Sequence, residues 1–535
     1  MSRHRRALSI AVMLWFVAAC NVAAPEPPAP AASPDAADQV PELGDASSLF
    51  EHVVERARRL ASSDYTKPLS TLPPALRDLD YDAYRSIAFR PERALWHGDG
   101  RFAVQVVHPG FIYRDPVRIH EVRGDRITPI GFDPTQYRYQ GVAAPVVGAV
   151  TSDVGHAGFR VYYPLHGDDG REEVAVFLGA SYFRLVGNHH VHGLSARGLA
   201  VDIGLDRGEE FPAFREFWLV RPEPRATVLT FYALLDSPSV TGAYRFDLSS
   251  ATDTTLAVEA MLFARRTLGK LGVAPLSSMF LYGADRVPSF DDVRPQVHDS
   301  DGLLMLTAAG EWIWRPLANG PGLQVTSLRD RTPRGFGLAQ RERAFENYLD
   351  LEAAYHRRPS AWVTLEDGDW GQGGVELLAI PATSEFADNI AAYWVPDELF
   401  RAGDERHYRY RLTTFDDRLD AQTLAQVERT RIGWAALPGQ HDPPPRSMRQ
   451  VIVDFSGGPL ATLEDGRVPE AVLETTAGRV SDVMVLPLPD RSGWRASFRL
   501  APDGGRPADM RLFLEADRLR LSETWSYVWY PDRIQ

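Results

Sequence analysis

Cysteine and lysine are almost absent from this chain of 535 residues, which contains one cysteine, Cys20, and two lysines, Lys67 and Lys270. A single cysteine cannot form an intramolecular disulfide, so the stability of the fold must come from hydrophobic cores. An excess of positive charge is absent as well. The formal net charge of −13 argues against nucleic acid or an anionic membrane surface as the main partner.

The size and composition are those of a multidomain globular protein. At 535 residues the chain is too long for one ordinary core, so two or more domains are expected. Hydrophobic residues make up 44% and charged residues 24% of the sequence, which predicts that most of the chain is folded.

The N-terminus has the features of an export signal. Basic residues within 3–6 precede the apolar run 7–19, which is too short to span a bilayer as a mature helix. Residues 17–20 (VAAC) resemble a bacterial lipobox, which predicts a signal peptide over 1–20 and lipidation of Cys20. The alternative is a cysteine at the end of a signal peptide that is cut elsewhere.

The predicted mature N-terminus is a membrane anchor followed by a tether. Because Asn21 and not Asp follows Cys20, we expect sorting to the outer membrane, facing the periplasm. The segment 21–45 is rich in Pro and Ala, which predicts an extended, solvated tether.

Hydrophobic periodicity predicts two helices near the start and strands elsewhere. Apolar residues at helical spacing over 50–60 predict one amphipathic helix, and Pro73-Pro74 opens a second helical candidate at about 75–87. From Phe102 onward, short apolar or alternating runs are interrupted by Gly, Pro, Asn and Asp. This density of short strands predicts a mainly all-β chain.

A domain boundary is predicted in the last quarter of the chain. An alternating strand that ends at Thr413 is followed by a polar stretch, and 439–445 contains three successive prolines. We therefore expect a chain ending near Thr413 to keep a folded first domain. The predicted units are a large β-sandwich over 46–415, a linker over 416–445 and a small immunoglobulin-like sandwich over 446–535.

The segment 298–394 combines acids, arginines and tryptophans. Aromatic faces stack on sugar rings while carboxylates and guanidinium groups bind hydroxyls, so this mixture predicts a glycan site. Its candidate substrate-binding residues are Trp312, Trp314, Arg315, Arg341, Arg358, Trp362, Trp370, Glu385 and Asn389. The tryptophans, with Trp394, also suit a hydrophobic core, and we expect roughly two of them to contact ligand.

Several motifs occur in one order along the chain: 177–184 (FLGASYFR), 193–200 (GLSARGLA), 210–212 (EFP), 298–302 (HDSDG), 310–316 (GEWIWRP), 388–390 (DNI) and 521–525 (LSETW). From about residue 45 to the C-terminus, the chain resembles the periplasmic glucans biosynthesis proteins, types G and D. Tyr182 and Arg197, which lie in these motifs, join the candidate substrate-binding residues.

This resemblance implies both a fold and a function. The fold is a galactose-mutarotase-like N-terminal β-sandwich followed by a C-terminal immunoglobulin-like sandwich. The function is a role in making osmoregulated periplasmic glucans with β-1,2-linked glucose backbones. Members of the family are similar to anomer-inverting glycoside hydrolases, and some act as transglycosylases that close cyclic glucans.

The resemblance also implies roles for individual residues. Asp388 matches the general acid, and the general base comes from the 298–302 motif, where Asp299 and Asp301 are both candidates. Inversion requires one carboxyl group to protonate the leaving oxygen and a second, about 6.5–9.5 Å away, to activate water.

Each assignment has a structural alternative. Asp388-Asn389 also suits a turn whose side chains bond the nearby backbone. Residues 299–302 resemble an incomplete calcium loop, but no Glu stands at the required spacing, so no metal is predicted. The histidine-rich segment 189–192 is predicted to be an exposed turn and not a zinc site. No cofactor is expected.

The sequence therefore predicts an exported, lipid-anchored periplasmic protein that acts on β-1,2-glucan as an inverting endo-glucanase or a transglycosylase. Glucan-synthesis machinery is a further candidate partner. The first alternative is a non-catalytic glycan-binding scaffold, which would not need two opposed carboxylates around the substrate. The second is a mutarotase-like epimerase, which would need an acid and a base around a single sugar ring.

Overall fold

The computed structural model describes residues 46–68, 70, 72–150, 154–167, 170–284, 290–366, 368–464, 466–489 and 492–531. The predicted signal peptide, the lipidation site at Cys20 and the tether over 21–45 lie outside these residues. Among the helices that the structure describes, none is both long enough and apolar enough to cross a membrane.

Helix α1 (Ala46–Ala61) confirms the first predicted helix. Its apolar face includes the fully buried Leu49 and Val53. These side chains form a small hydrophobic cluster with Tyr232 and Phe263 of the sheet beneath the helix. Packing of an amphipathic face on a sheet removes apolar surface from water and holds the helix in place.

The second predicted helix is instead two short helices. Helices α2 (Pro74–Arg77) and α3 (Tyr81–Arg85) replace the single helix expected at about 75–87. The side chain of Asp80 accepts a hydrogen bond of 2.8 Å from the amide of Ala83. This N-cap starts a new helix and therefore interrupts the helical pattern.

Strands form most of the remaining described structure. Short 3-10 turns connect some of them, at Pro91–Arg93, Pro134–Gln136, Gly141–Ala149, Phe345–Asn347, Tyr355–Arg357 and Gly458–Thr462. The strands up to Phe415 are β1 (Ile87–Phe89), β2 (Ala103–Val107), β3 (Arg118–Arg123), β4 (Arg126–Pro129), β5 (Tyr137–Tyr139), β6 (Gly158–Tyr163), β7 (Glu172–Leu178), β8 (Tyr182–Leu185), β9 (Ser195–Arg197), β10 (Leu199–Val201), β11 (Ala213–Val220), β12 (Val228–Asp236), β13 (Val240–Ser250), β14 (Thr254–Ala264), β15 (Leu271–Ser278), β16 (Phe280–Tyr282), β17 (Val297–His298), β18 (Gly302–Leu306), β19 (Trp312–Pro316), β20 (Gln324–Arg331), β21 (Gly335–Ala339), β22 (Ser360–Glu366), β23 (Gln372–Ala379), β24 (Ile390–Pro396) and β25 (Glu405–Phe415). The later strands are β26 (Gln426–Trp434), β27 (Arg449–Ser456), β28 (Glu470–Thr475), β29 (Arg479–Pro487), β30 (Gly493–Ala501), β31 (Ala508–Ala516), β32 (Leu519–Arg520) and β33 (Thr524–Trp529).

Two large sheets face each other in the first part of the chain. The site sheet has the strand order β2-β6-β7-β8-β9-β15-β24-β23-β20, with β10 beside β15. The long sheet has the order β28-β31-β33-β19-β18-β21-β22-β25-β14-β13-β12-β11-β3-β4. Between them lies one hydrophobic core, in which Phe159 and Phe231 meet edge to face at 5.6 Å. Sheet-on-sheet packing of this kind confirms the mainly all-β sandwich class.

The C-terminal part forms a second sandwich that shares the long sheet. Strands β26, β27, β30 and β29 form a separate C-terminal sheet. Val453 and Phe498 of this sheet share a core with Leu512 and Trp525 of the long sheet. Because β33 pairs in parallel with β19, the long sheet continues from the first sandwich into the second.

Strand β26 (Gln426–Trp434) lies inside the segment 416–445, which the sequence predicted to be a linker. It pairs antiparallel with β27 and carries the buried Val427. The linker prediction is therefore wrong over this strand. The Pro-rich stretch that follows it joins two strands of one sheet and does not separate two domains.

Glycines shape the contact between the two sandwiches. A Cβ atom on Gly302 would lie 2.4 Å from the indole of Trp314, and one on Gly335 would lie 2.4 Å from the indole of Trp362. Both tryptophans belong to the core of the second sandwich. The two glycines thus make room for aromatic rings at the domain contact.

Candidate active site

Asp388 lies at the end of a loop, two residues before β24 begins at Ile390. Its neighbour Asn389 is buried and fixes the loop through its side-chain amide. The amide of Phe280 donates to Asn389 Oδ1 at 2.8 Å, and Asn389 Nδ2 donates to the carbonyls of Phe280 and Ile380 at 3.0 Å each. Asn389 thus presents Asp388 by holding the backbone, which differs from the expected contact with substrate.

The Asp388 carboxyl group is partly buried among charged side chains. Burial raises the pKa of Asp388 to about 6. The positive charge of Arg184, and to a lesser extent the charges of Arg197 and Arg358, lowers the pKa. The negative charge of nearby Asp299 raises it. The structure thus brings the acid candidate, one base candidate and three cations into electrostatic contact.

Asp299 follows β17 and is buried. Its Oδ1 accepts a hydrogen bond from Arg358 Nη1 in an ion pair. The Arg358 guanidinium also lies 4.2 Å from the ring centroid of Tyr355, and its Nε donates to the carbonyl of Ala353 at 3.1 Å. Arg358 is therefore held on several sides and compensates the charge of Asp299.

Asp301 has a different environment from Asp299. Its Oδ2 accepts hydrogen bonds from the backbone amides of Arg341 and Glu342, at 2.7 Å for Glu342. Its Oδ1 lies 3.4 Å from Nε2 of the fully buried His298. Asp301 therefore connects two segments of the chain.

A connected set of charged and aromatic side chains lies next to Arg358. The hydroxyl of Tyr355 donates to Glu385 Oε2 at 2.6 Å. Arg294 Nη1 donates to Glu385 at 2.7 Å and to Asp350 Oδ2 at 2.9 Å. Glu385 is thus fixed by a cation and a phenol at the edge of the site.

Arg197 forms the other side of the site. Its Nε donates to Ser277 Oγ at 2.8 Å, and its Nη1 donates to Glu209 in an ion pair. Its guanidinium lies 4.6 Å from the ring centroid of Tyr182. Burial raises the pKa of Glu209, although Arg197 opposes the rise.

Most of the candidate substrate-binding tryptophans lie away from Asp388 and Asp299. The rings of Trp312 and Trp362 are 5.5 Å apart in the core of the second sandwich. Trp314 belongs to the same core, and the Arg341 guanidinium lies 3.6 Å from its ring. Arg341 in turn pairs with Glu523 at 2.6 and 2.9 Å. These residues join the two sandwiches.

Arg315 and Trp370 also have packing roles. Buried Arg315 donates to Ser526 Oγ at 3.2 Å and to Thr326 Oγ1 at 3.0 Å. Buried Trp370 meets Tyr408 edge to face at 5.1 Å. Of the predicted binding residues, those beside Asp388 and Asp299 are Tyr182, Arg197, Arg358 and Glu385.

Two histidines of the segment 189–192 contact two different acidic residues. His190 Nε2 lies 2.6 Å from Asp416 Oδ1, and His192 Nε2 lies 2.8 Å from Glu173 Oε1. Within the part of the chain that the structure describes, no three His, Cys, Asp or Glu residues are arranged to hold a metal ion.

Comparison with known proteins places the chain in a family. Residues 49–529 match the sequence model of the family described as Periplasmic glucan biosynthesis protein, MdoG. The chain belongs to this family. The recognition made from the motifs is therefore confirmed.

Individual relatives match over almost their whole length. Glucans biosynthesis protein D 1 of Ralstonia nicotianae is 43% identical, over 94% of this chain and 96% of the relative. Glucans biosynthesis protein G of Rhodopseudomonas palustris is 43% identical, over 88% and 91%. The G protein of Ralstonia nicotianae is also 43% identical, over 90% and 95%. Relatives named protein D and relatives named protein G thus have the same sequence identity to this chain.

Several residues of the site were absent from the sequence prediction. Arg184 is the cation that most strongly opposes the raised pKa of Asp388, and it lies in the motif 177–184, which carries part of the family resemblance. Tyr355 precedes an Arg-Arg pair but has no pattern of its own. Arg294 and Glu209 contact predicted residues only through the fold, so nothing in the linear sequence identifies them.

Proposed function

We propose that this protein works in the periplasm on β-1,2-linked glucan, where it cleaves or transfers a glycosidic bond with inversion. The observation that carries the proposal is the pKa of Asp388, which burial raises to about 6 beside a second carboxylate, Asp299. Membership of the glucan biosynthesis family supports the class of substrate.

Asp388 suits the role of general acid. A carboxyl group with a pKa near 6 keeps part of its protons close to neutral pH and can donate one to the leaving oxygen. The surrounding arginines Arg184 and Arg197 provide donors for sugar hydroxyls.

Asp299 suits the role of general base better than Asp301. One oxygen of Asp301 already accepts two backbone hydrogen bonds. Asp299 is bonded through Oδ1 to Arg358, and its Oδ2 has no hydrogen-bond partner among the described residues. That oxygen is available to activate water or an acceptor hydroxyl.

The decisive experiment compares wild type with Asp388→Asn on linear β-1,2-glucan. The variant keeps its size and most hydrogen bonds but has no proton to transfer. We therefore expect glucan binding to persist while the rate falls by roughly 10²–10⁴-fold. Initial rates and product size measure the effect. Asp503→Asn, an exposed pair partner of Arg506 in the C-terminal part, is the matched control.

The product anomers test the mechanism separately. Polarimetry or NMR of the first products should give the inverted configuration, and a retained configuration would exclude single displacement. Formation of cyclic products from linear glucan would identify transfer. Binding of glucan by a wild type that neither cleaves nor transfers would instead establish the scaffold function.

We also propose that Cys20 is lipidated and anchors the protein to the outer membrane. The support is the lipobox-like 17–20 segment. Metabolic labelling with a palmitate analogue should mark the full-length wild type but not Cys20→Ser. Equal labelling of the two proteins would contradict the anchor.

A further inference from the structure

A cavity of about 240 Å³ opens at one end of the first sandwich, beside the residues of the candidate active site. Its inner wall includes Phe177, Phe214 and Phe217, which are fully or almost fully buried. Tyr182 also lines it. We propose that this cavity is an accessory site that binds one glucosyl ring of the glucan, apart from the residues that break the bond.

The rim of the cavity is polar and carries charges of both signs. Lys67, Asp115 and Arg215 line it together with Phe211, whose side chain is exposed. Lys67 and Asp115 are exposed as well. A rim with cations and an anion offers donors and acceptors to hydroxyl groups and does not select an ion of either sign.

Arg215 has unused hydrogen-bonding capacity at this site. Its Nη2 donates to the hydroxyl of Tyr65 at 3.0 Å, whereas its Nε is buried and has no partner within the described residues. No carboxylate among those residues forms an ion pair with it. A ligand oxygen at the rim can accept a hydrogen bond from this donor.

Shape and size restrict the class of ligand. The exposed ring of Phe211 and the polar rim match a pyranose ring, whose faces present C–H groups and whose edge presents hydroxyls. The volume is below the range of about 300–1,000 Å³ that is typical of pockets for drug-sized ligands. The cavity therefore fits one ring and not a longer segment of chain.

The cavity and the active site share a wall. Arg197 lies 4.6 Å from the ring centroid of Tyr182 and 5.9 Å from that of Phe211, and both rings line the cavity. The same Arg197 acts electrostatically on Asp388. A glucan held at Asp388 can thus place a neighbouring ring in the cavity, an inference that rests on the proposed function.

The test fills the cavity without removing a polar group. Ala213 lines it at the start of β11 and is only partly buried. In an Asp388→Asn parent, Ala213→Phe should raise the Kd for linear β-1,2-glucan by about tenfold, because a lost ring contact is worth roughly one such factor. Ala213→Ser is the matched control and should leave the Kd unchanged. Isothermal titration calorimetry provides the Kd, and circular dichroism verifies folding.

The outcomes are distinct. An unchanged Kd in folded Ala213→Phe overturns the accessory site and leaves the proposed function intact. Failure of the Asp388→Asn parent to bind glucan overturns the proposed function, and the accessory site with it. If Ala213→Phe does not fold, Arg215→Met replaces it, with the exposed Arg225→Met as control. A raised Kd for Arg215→Met alone then supports the site, and equal Kd values for the two variants overturn it.

Discussion

At the scale of single residues, the site contains a carboxyl group that the fold does not favour in its charged form. Burial holds the pKa of Asp388 at about 6, above the ordinary value of 3.8. The folded state therefore binds this proton more tightly than the unfolded state. The resulting stabilisation is fully present below about pH 4 and is lost as the pH rises through about 6.

Asp388→Asn should therefore stabilise the protein while it removes activity. At pH 7.5 we expect the free energy of unfolding to rise by about 1–3 kcal/mol, since each pKa unit corresponds to about 1.4 kcal/mol and partial exposure weakens the effect. The gain should disappear below pH 4. Urea denaturation at the two pH values measures it, with Asp503→Asn as control. A loss of stability at pH 7.5 would show that the asparagine breaks contacts that matter more than charge burial.

At the scale of elements, the strands that contain tryptophan show that the sequence does not decide whether an aromatic residue lies in a core or at a ligand site. Trp314 and Trp362 have the composition of a sugar-binding surface, yet both occupy space beside glycines of neighbouring strands. An aromatic ring suits a core and a ligand site equally well, and only the partner across the sheet decides between them. Asp388 was predictable because it lies in a motif, and Arg358 because it lies in the segment 298–394 that combines acids, arginines and tryptophans. Contacts such as Arg294 with Glu385 depend on distant parts of the chain.

Strand prediction failed where alternation was weak. Strands β27, β30 and β31 carry alternating apolar residues, which is the pattern that predicts a half-buried strand. Strand β26 was missed because the exposed Glu428, Arg429 and Arg431 interrupt its apolar pattern, and only Val427 and Thr430 are buried. A strand that buries few side chains is defined by its hydrogen-bond partner, here β27, which the sequence pattern does not reveal.

Replacing Gly335 tests the role of the glycines. A Cβ atom there would lie 2.4 Å from the indole of Trp362 and 2.6 Å from the carbonyl oxygen of Val363. Gly335→Ala should therefore lower the free energy of unfolding by about 1–3 kcal/mol through overpacking. Gly433→Ala in β26, where no atom lies within 4 Å, is the control and should be neutral or slightly stabilising. Equal unfolding midpoints for both variants would mean that the tryptophan can move aside.

At the scale of the whole molecule, the two sandwiches are one structural unit. The long sheet crosses from β19 to β33, where Trp314 pairs with Trp525. Glu523 is fully buried and forms two hydrogen bonds with Arg341. The backbone of Arg341 in turn holds Asp301, two residues from Asp299. The C-terminal sandwich thus supports the segment that carries the base candidate.

A chain that ends at Phe415 should therefore not remain soluble, contrary to the expectation from the linker pattern. Truncation removes Glu523, leaves β19 as an unpaired edge and uncovers the apolar surface around Trp312 and Trp314. Size-exclusion chromatography with light scattering should find aggregates for residues 46–415 and a defined species for 46–535. In the longer chain, Glu523→Gln should lower the free energy of unfolding by about 3–5 kcal/mol, because it leaves the largely buried Arg341 without its counter-ion. A soluble, cooperatively unfolding 46–415 fragment would show that the first sandwich is stable alone and that the shared sheet only docks the second.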